Sequence, residues 1–359
     1  MKTICFFSGD ITRGGGTERV AVTVVNGLAA EDRYRILVLS LTEQSKELFF
    51  PLHDNIEHCA LGDRWLNPGP GYLKVIPRLR RFLKERDIDV IVDIDIVLDV
   101  LSLPASGGLK TKVVSWEHFN CAYEMSSLYR RWILKYSVKR SDYVITLTER
   151  DRADYGKRLG RRQNIAVIGN PLQETVCGED AERENWLITV GNLVSVKGPD
   201  YLGEVAVKIL KIHSDWKWMV LGEGEERAYL EELIRENALQ RQLCLTGRVS
   251  DVGSYLRRAK IYVMTSRREG LPMCLLEAKA YKLPAVSFDV ATGPGEIIDD
   301  GVNGYLIEPY DCRAMAEKLE ILMEDEALRK KFSENSSRGL ERFQPEGILN
   351  RWKGILEEL

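Results

Sequence analysis

Apolar and polar residues fall in two alternating rhythms along this chain. Short unbroken apolar runs, bounded by turn residues, are followed by longer stretches whose apolar positions recur at helical spacing. In the first half the runs predict strands over 2–8, 34–41, 90–93, 112–116, 143–147 and 165–168. Helices are predicted between them, for example over 17–30, 71–86 and 126–139. In the second half strands are predicted over 186–190, 216–221, 243–246, 261–264, 285–287 and 304–307. Its helices are predicted over 199–213, 225–237, 252–258, 272–281, 312–324, 329–343 and 346–359. Such alternation is that of βα units, so the fold class is α/β with doubly wound parallel sheets.

The alternation pauses once. Gly169-Asn170-Pro171 is a turn signal, and the stretch from Gln173 to Asn185 is polar, with acids and a glycine. This predicts two Rossmann-like domains, 1–170 and 185–342, joined by a linker over 171–184. The closing helix over 343–359 is expected to return to the first domain. The length of 359 residues also suits two domains. Two such sheets bind ligands outside their carboxyl ends, so the expected site is a cleft that both domains face.

Composition narrows the function classes. Apolar residues make 44 % of the chain and charged residues 29 %, as in soluble globular proteins. A formal net charge of -3 gives no nucleic-acid signature. Residues 1–175 carry 26 Lys+Arg against 22 Asp+Glu, and residues 176–359 carry 25 against 32. The basic front half is therefore the half expected to meet something anionic. Seven dispersed cysteines without a Cys-x-x-Cys pattern argue for a reducing compartment, and the four histidines lack metal-site spacing. The first apolar run is too short for a signal peptide, and no run is long enough to span a bilayer. The protein is expected in the cytoplasm, at most resting on the inner face of a membrane.

Chemistry concentrates where predicted strands end. After the strand over 261–264 comes Thr265-Ser-Arg-Arg-Glu269-Gly270-Leu271-Pro272-Met273-Cys-Leu-Leu-Glu277. Pro272 is expected as the first residue of a helix, whose tip would offer free backbone N–H groups and a positive dipole to a diphosphate. Glu269 in the loop could take sugar hydroxyls, and Glu277 in the second turn ribose hydroxyls. A helix with acids on its solvated face would read the same way. After the strand over 186–190 comes Gly191-Asn192-Leu193-Val194-Ser195-Val196-Lys197-Gly198, where Lys197 could neutralise a leaving phosphate or simply stand in solvent.

Two motifs lie at strand ends of the front half. Arg13-Gly14-Gly15-Gly16-Thr17-Glu18-Arg19 lets backbone approach a ligand closely, or is a flexible loop before a helix. It fits neither the dinucleotide nor the P-loop glycine spacing. Trp116-Glu117-His118-Phe119-Asn120 puts a histidine at a carboxyl edge, where functional and structural readings stand level. Asp93-Ile94-Asp95 looks like the Asp-x-Asp of metal-dependent sugar-nucleotide enzymes. It sits in a buried apolar run, and those enzymes normally have one domain, so metal is not expected there.

Taken in order, these motifs resemble glycosyltransferase family 4, retaining enzymes with the two-domain GT-B fold. Besides the segments above, the resemblance rests on Asn170-Pro171 and Leu245-Thr-Gly-Arg248-Val249, and it covers nearly the whole chain. It implies a metal-independent hexosyltransferase without a cofactor beyond its nucleotide-sugar substrate, most simply UDP-linked. Glu269 would bind donor-sugar hydroxyls, with Gly270, Leu271, Pro272 and Met273 near the diphosphate, and Glu277 would hold the ribose. Lys197 would neutralise the departing diphosphate, with Asn192 beside it. Arg248 and Val249 would flank the base. His118 would reach the transferring sugar, while Gly15 and Gly16 would close over the phosphates and the acceptor entrance. His118, Lys197 and Glu269 are thus the catalytic set. One departure is Asn192, where the family often has an arginine; Arg13 is a candidate to supply the missing charge.

The implied acceptor is a lipid-linked or polysaccharide sugar. Variable loops at about 43–67 and 121–129 are expected to choose it. Segments 72–86 and 129–140 mix bases with Leu, Ile, Phe and Trp132. They could lie in an anionic membrane interface or simply cover the first sheet. A GT-B-type sugar-nucleotide epimerase and a non-catalytic sugar-nucleotide binding protein are the competing readings.

Overall fold

The computed structural model describes residues 1–62, 70–125, 127–172 and 182–359. Most of the predicted linker over 171–184, including Cys177, and the end of the predicted loop over 43–67 lie outside the described residues. The chain divides into two compact units, Met1–Pro171 with Phe343–Leu359, and Leu172–Arg342. Each is built on one parallel sheet flanked by helices.

In the first unit the strands are β1 (Lys2–Ser8), β2 (Tyr34–Thr42), β3 (Glu57–Gly62), β4 (Val90–Ile94), β5 (Lys112–Trp116), β6 (Tyr143–Thr146) and β7 (Ile165–Val167). They pair in the order β3-β2-β1-β4-β5-β6-β7, all parallel. The helices are α1 (Gly16–Ala29), α2 (Pro70–Glu85), α3 (Asp99–Ser106), α4 (Cys121–Glu124), α5 (Leu128–Arg140) and α6 (Glu149–Leu159). β4, and β1 after Lys2, are fully covered runs, as parallel strands buried on both faces require.

In the second unit the strands are β8 (Trp186–Val190), β9 (Lys217–Leu221), β10 (Leu243–Gly247), β11 (Ile261–Met264), β12 (Ala285–Phe288) and β13 (Gly304–Ile307), in the order β10-β9-β8-β11-β12-β13. Between them run α7 (Pro199–Leu210), α8 (Arg227–Glu236), α9 (Val252–Arg258), α10 (Met273–Ala280) and α11 (Pro294–Ile297). α12 (Cys312–Glu324) and α13 (Glu326–Glu334) follow β13. The core joins Trp218, Val263 and Phe288 of the sheet to Leu202, Val205, Met315 and Leu319 of the covering helices. Each fully buried aliphatic side chain contributes about 1.5–3 kcal/mol. α14 (Pro345–Glu358) completes the first unit, where Lys2 Nζ donates to Leu356 O at 2.7 Å and Lys353 pairs with Glu31 at 2.8 Å.

Several expectations need correction. β3 crosses the stretch read as a loop over 43–67; it is a half-exposed edge strand. α4 interrupts the second expected loop, with Asn120 accepting from Tyr123 N at 2.8 Å as its cap. α5 begins at Leu128, capped by Ser127. The single helix expected over 329–343 ends at Glu334. There the Ser336 hydroxyl turns back onto Leu283 O and Phe332 O, and Gly339 takes a left-handed φ of 80°.

Candidate functional site

In each sheet the chain reverses its winding between two central strands, β1 and β4 in the first unit, β8 and β11 in the second. Ligands of doubly wound sheets bind beyond the carboxyl ends of such strands. In the second unit the loops leaving β8 and β11 carry Lys197 and Glu269. Their side chains meet: Lys197 Nζ lies 2.7 Å from Glu269 Oε1 and 3.0 Å from Oε2. Glu269 is nearly covered, Lys197 about a third exposed. Burial pulls the ammonium's pKa down, and the charges of Glu269 and Cys274 more than offset it, so the pKa stands above its ordinary value. Lys197 is therefore a cation at every physiological pH.

The two loops are stitched to each other through backbone. Arg267 N donates to Val196 O at 2.9 Å, and Arg267 Nη1 to Ser195 O at 2.7 Å. The same guanidinium grips Asp200 with both forks and lies over the Tyr201 ring. Thr265 Oγ1 donates to Gly198 O at 3.0 Å. Gly198 takes a left-handed φ of 65°, and a Cβ there would stand 2.1 Å from Thr265 O. A third loop, after β12, supports Glu269: Thr292 Oγ1 donates to Glu269 O at 2.6 Å. These props are not evident as a motif. The readable signals were the glycine before Pro199 and the cluster Thr292-Gly-Pro-Gly after a strand.

Of the other predicted donor residues in the second unit, Asn192 shares a cavity with this pair, and the rest follow strand ends of the same sheet. A small cavity is lined by Gly191, Asn192, Lys197, Thr265, Glu269 and Cys274. Asn192 is exposed, and its loop is held by Leu193 N donating to Glu223 O at 2.9 Å. Gly270, Leu271 and Pro272 lead into α10. Pro272 is the N-cap, not the first helical residue, with extended backbone (φ -73°, ψ 109°). Leu275 and Leu276 amides both donate to Pro272 O, so the amides of Met273 and Cys274 form the open tip. Glu277 stands in the second turn, half-buried. Arg248, exposed, and Val249 follow β10 at the same sheet edge.

Gly15, Gly16 and His118 belong to the first unit. Gly15 caps α1, and Glu18 folds back over it to take Arg13 Nη2 at 2.5 Å and Nε at 3.0 Å. Arg13, half-exposed, thus pairs with Glu18 inside the first unit. His118 follows β5, buried, with Nε2 covered and unpaired. Burial alone pushes its pKa down to about 3, so the imidazole is neutral. Glu117, buried beside it, accepts from Phe119 N at 2.8 Å and Tyr155 OH at 3.1 Å, which fixes the histidine's loop.

The Asp-x-Asp pair is not a metal-shaped set of free carboxylates. Asp93 is buried and accepts from Ser102 Oγ; Asp95, at the end of β4, has φ 97° and accepts from Val97 N at 3.2 Å.

Residues 14–174 match the family described as Glycosyltransferase Family 4, and residues 178–338 that described as Glycosyl transferases group 1. An uncharacterized glycosyltransferase of Haemophilus influenzae is 30% identical over 99% of this chain and 100% of its own. The chain belongs to this glycosyltransferase family. Amylovoran biosynthesis glycosyltransferase AmsD of Erwinia amylovora is 28% identical over 96% of this chain and 97% of its own. A Campylobacter jejuni alpha-1,4-N-acetyl-D-galactosaminyltransferase, named for a diNAcBac-PP-undecaprenol-linked substrate, is 26% identical over 96% of each. Among solved structures, Staphylococcus aureus TarM in complex with Fondaparinux, alpha-GlcNAc-glycerol and UDP has a TM-score of 0.80 at 16% identity, covering 99% of both chains. Anabaena HepE in complex with UDP has a TM-score of 0.80 at 18% identity, covering 100% of both. The fold of this glycosyltransferase is GT-B, two Rossmann-like parallel-sheet domains.

Proposed function

We propose that this glycosyltransferase moves a hexose or N-acetylhexosamine from a UDP-sugar to a hydroxyl of a lipid-linked or polysaccharide acceptor in bacterial cell-surface glycan synthesis, with retention of configuration. The observation that carries the reading is the Lys197–Glu269 ion pair beyond β8 and β11. A sugar-nucleotide transferase must compensate a departing diphosphate and hold the sugar by its hydroxyls. A permanently charged lysine shared with a covered carboxylate suits both tasks. The amides of Met273 and Cys274 at the tip of α10 add donors for phosphate oxygens. Glu277 serves the ribose, and Arg248 with Val249 the base. His118 offers a neutral imidazole to the transferring sugar, and Gly15 and Gly16 line the acceptor side. UDP is favoured because TarM and HepE are named in complex with it.

The transition state is oxocarbenium-like. As the anomeric C–O bond breaks, charge grows on the diphosphate, and Lys197 and the helix tip stabilise it without a metal ion or any cofactor. The departing phosphate oxygen takes the proton of the attacking hydroxyl on the same face. The protein supplies orientation and charge.

The lipid-linked acceptor is favoured by the Campylobacter relative's name and by α5. Its described outer face exposes Leu128, Tyr129 and Trp132 beside Arg131, Lys135, Lys139 and Arg140, and it contains no acid. No helix among the described residues is long and apolar enough to cross a membrane, so contact at the inner face of the cell membrane would be peripheral.

A panel of UDP- and GDP-sugars, scored by thermal stabilisation in EDTA, tests the reading. A UDP-sugar is expected to raise the melting temperature without metal, and Lys197→Met to remove the rise. A strict requirement for a divalent ion would overturn the metal-free mechanism. Donor hydrolysis without acceptor separates a transferase from a mere binder, and interconversion of UDP-sugars would identify an epimerase instead.

A further inference from the structure

The first unit contains an aromatic column behind His118, formed by Trp116, Trp352 and Phe6, which the proposed function does not use. The His118 ring packs on Trp116, with ring centroids 4.4 Å apart. Trp116 packs edge-on against Trp352 at 4.7 Å, and Phe6 of β1 closes the group at 6.5 Å from Trp116 and 5.9 Å from Trp352. Trp116 and Trp352 are both buried. Trp352 stands on α14, more than two hundred residues from His118 in sequence.

We propose that Trp352 is a positioning residue for His118: α14, by wedging its indole beneath Trp116, holds the His118 imidazole dry and oriented. As regards activity, this rests on the reading of His118 as facing the transferring sugar. Three observations carry it. First, the His118 ring has an aromatic wall on the side of Trp116, and its Nε2 is covered and unpaired. Second, no charged partner contributes to its low basicity; burial alone does, so whatever keeps water out sets its protonation state. Third, α14 is itself anchored at several points. Lys2 Nζ donates to Leu356 O at 2.7 Å, Lys353 pairs with Glu31 at 2.8 Å, and Arg33 pairs with Glu357 at 2.5 Å. A Cβ on Gly27 of α1 would stand 2.6 Å from Leu349, so the two helices meet closely. The wedge is therefore tied to β1, to α1 and to the turn after α1.

Removing the indole leaves a void into which Trp116 can tilt, away from His118. Water then reaches the imidazole, which gains basicity and loses its fixed orientation. A packing role alone would lower stability and leave the histidine's titration where it is.

The test uses the full chain with 15N-labelled histidine, whose four imidazoles are resolved by NMR, His118→Gln identifying the signal of interest. In the native protein His118 is expected to stay neutral from about pH 5 to 8. In folded Trp352→Leu it is expected to titrate inside that window. Donor turnover should fall about tenfold in kcat with KM for the UDP-sugar nearly unchanged. Trp352→Phe, which keeps an aromatic face, is expected to restore both. A folded Trp352→Leu protein whose His118 remains silent would overturn the proposal, as would a Phe variant as impaired as the Leu variant. If the Leu variant fails to fold, Trp352→Met against Trp352→Phe makes the same comparison. Should His118→Gln leave turnover intact, the sugar-facing reading of His118 fails, while the titration still decides whether Trp352 governs that ring.

Discussion

Lys197 Nζ spans both carboxylate oxygens of Glu269, at 2.7 and 3.0 Å, across the carboxyl ends of the two strands where the second sheet reverses its winding. Lys197 ends a single 3-10 turn (Ser195–Lys197), and Glu269 stands in a loop. Both depend on loops that grip each other through Arg267, Thr265 and Thr292. The pair holds a cation beside a covered anion before any substrate arrives. On the proposed function, an incoming diphosphate need only share the ammonium, not order it, and this is where preorganised charge contributes most to rate.

Lys197→Met should therefore cost about 3–4 kcal/mol of barrier, on the order of a hundred- to a thousandfold in kcat. Glu269→Gln should act mainly on sugar binding and leave nucleotide affinity close to native. Steady-state kinetics with the best UDP-sugar, beside calorimetric binding of UDP alone, separates the two. Native kcat in Lys197→Met would remove the lysine from the mechanism.

The turn that presents Lys197 gives a second expectation. Gly198 has a φ of 65°, and a Cβ would stand 2.1 Å from Thr265 O, a backbone atom that cannot swing aside. Gly198→Ala should cost at least about 2 kcal/mol of stability. It should also shift the lysine enough to depress turnover further than the loss of folded protein explains. Gly354→Ala on α14 meets nothing within 4 Å and should be neutral or slightly stabilising. Denaturant melts of the two variants side by side make the comparison.

How far this arrangement can be read from sequence follows from where its forces act. Strands such as 112–116 and 261–264 are buried on both faces, and their apolar runs announce them with the correct bounds. β3 is half exposed and its pattern too weak to stand out; α3 contains Pro104 and follows β4 after only Asp95 and an apolar 3-10 turn, so helix and strand periods blur there. Lys197 and Glu269 are legible because each sits in a short motif after a strand. Arg267 and Thr292 are not, since their work is done on backbone carbonyls far away in sequence. Trp352 and Trp116 read as ordinary core residues until packing brings them together.

Lys279 of α10 gives a pH-dependent expectation. It is buried, and its Nζ donates to Asn303 O at 2.6 Å and Ser336 Oγ at 3.2 Å. Burial pulls its pKa down to about 7, with Asp299 opposing. The unfolded chain keeps the proton to about pH 10.4. Between these values the unfolded state binds more protons, so this group makes stability rise with pH. Below about 7 both states are protonated, and the charged ammonium burdens the fold. Lys279→Met should be more stable than the native chain near pH 6, and its advantage should shrink steadily toward pH 10. Thermal melts across that range test the sign, and a constant difference would refute it.

The first unit has the opposite dependence at Asp93 and Asp99. Both are buried; Ser102 donates to Asp93 Oδ2 and Ser115 to Asp99 Oδ2. Their Oδ1 atoms are covered, each carboxyl faces the other, and Ser137 further favours the ionised form of Asp99, so the proton resides on Asp93. Burial, then the charge of Asp99, drives Asp93 well above the ordinary range; burial lifts Asp99 to about 6. An unfolded aspartate releases its proton near pH 3.9. From about 4 to 6 the folded state therefore holds more protons, and this pair's contribution to stability declines as pH rises. Asp93→Asn replaces the shared proton by a permanent amide N–H toward Asp99. The variant should lose the decline and match or exceed the native protein at pH 7. Urea denaturation at pH 4.5 and 7 decides it: a variant that is less stable than native by the same margin at both pH values would mean that no proton is shared.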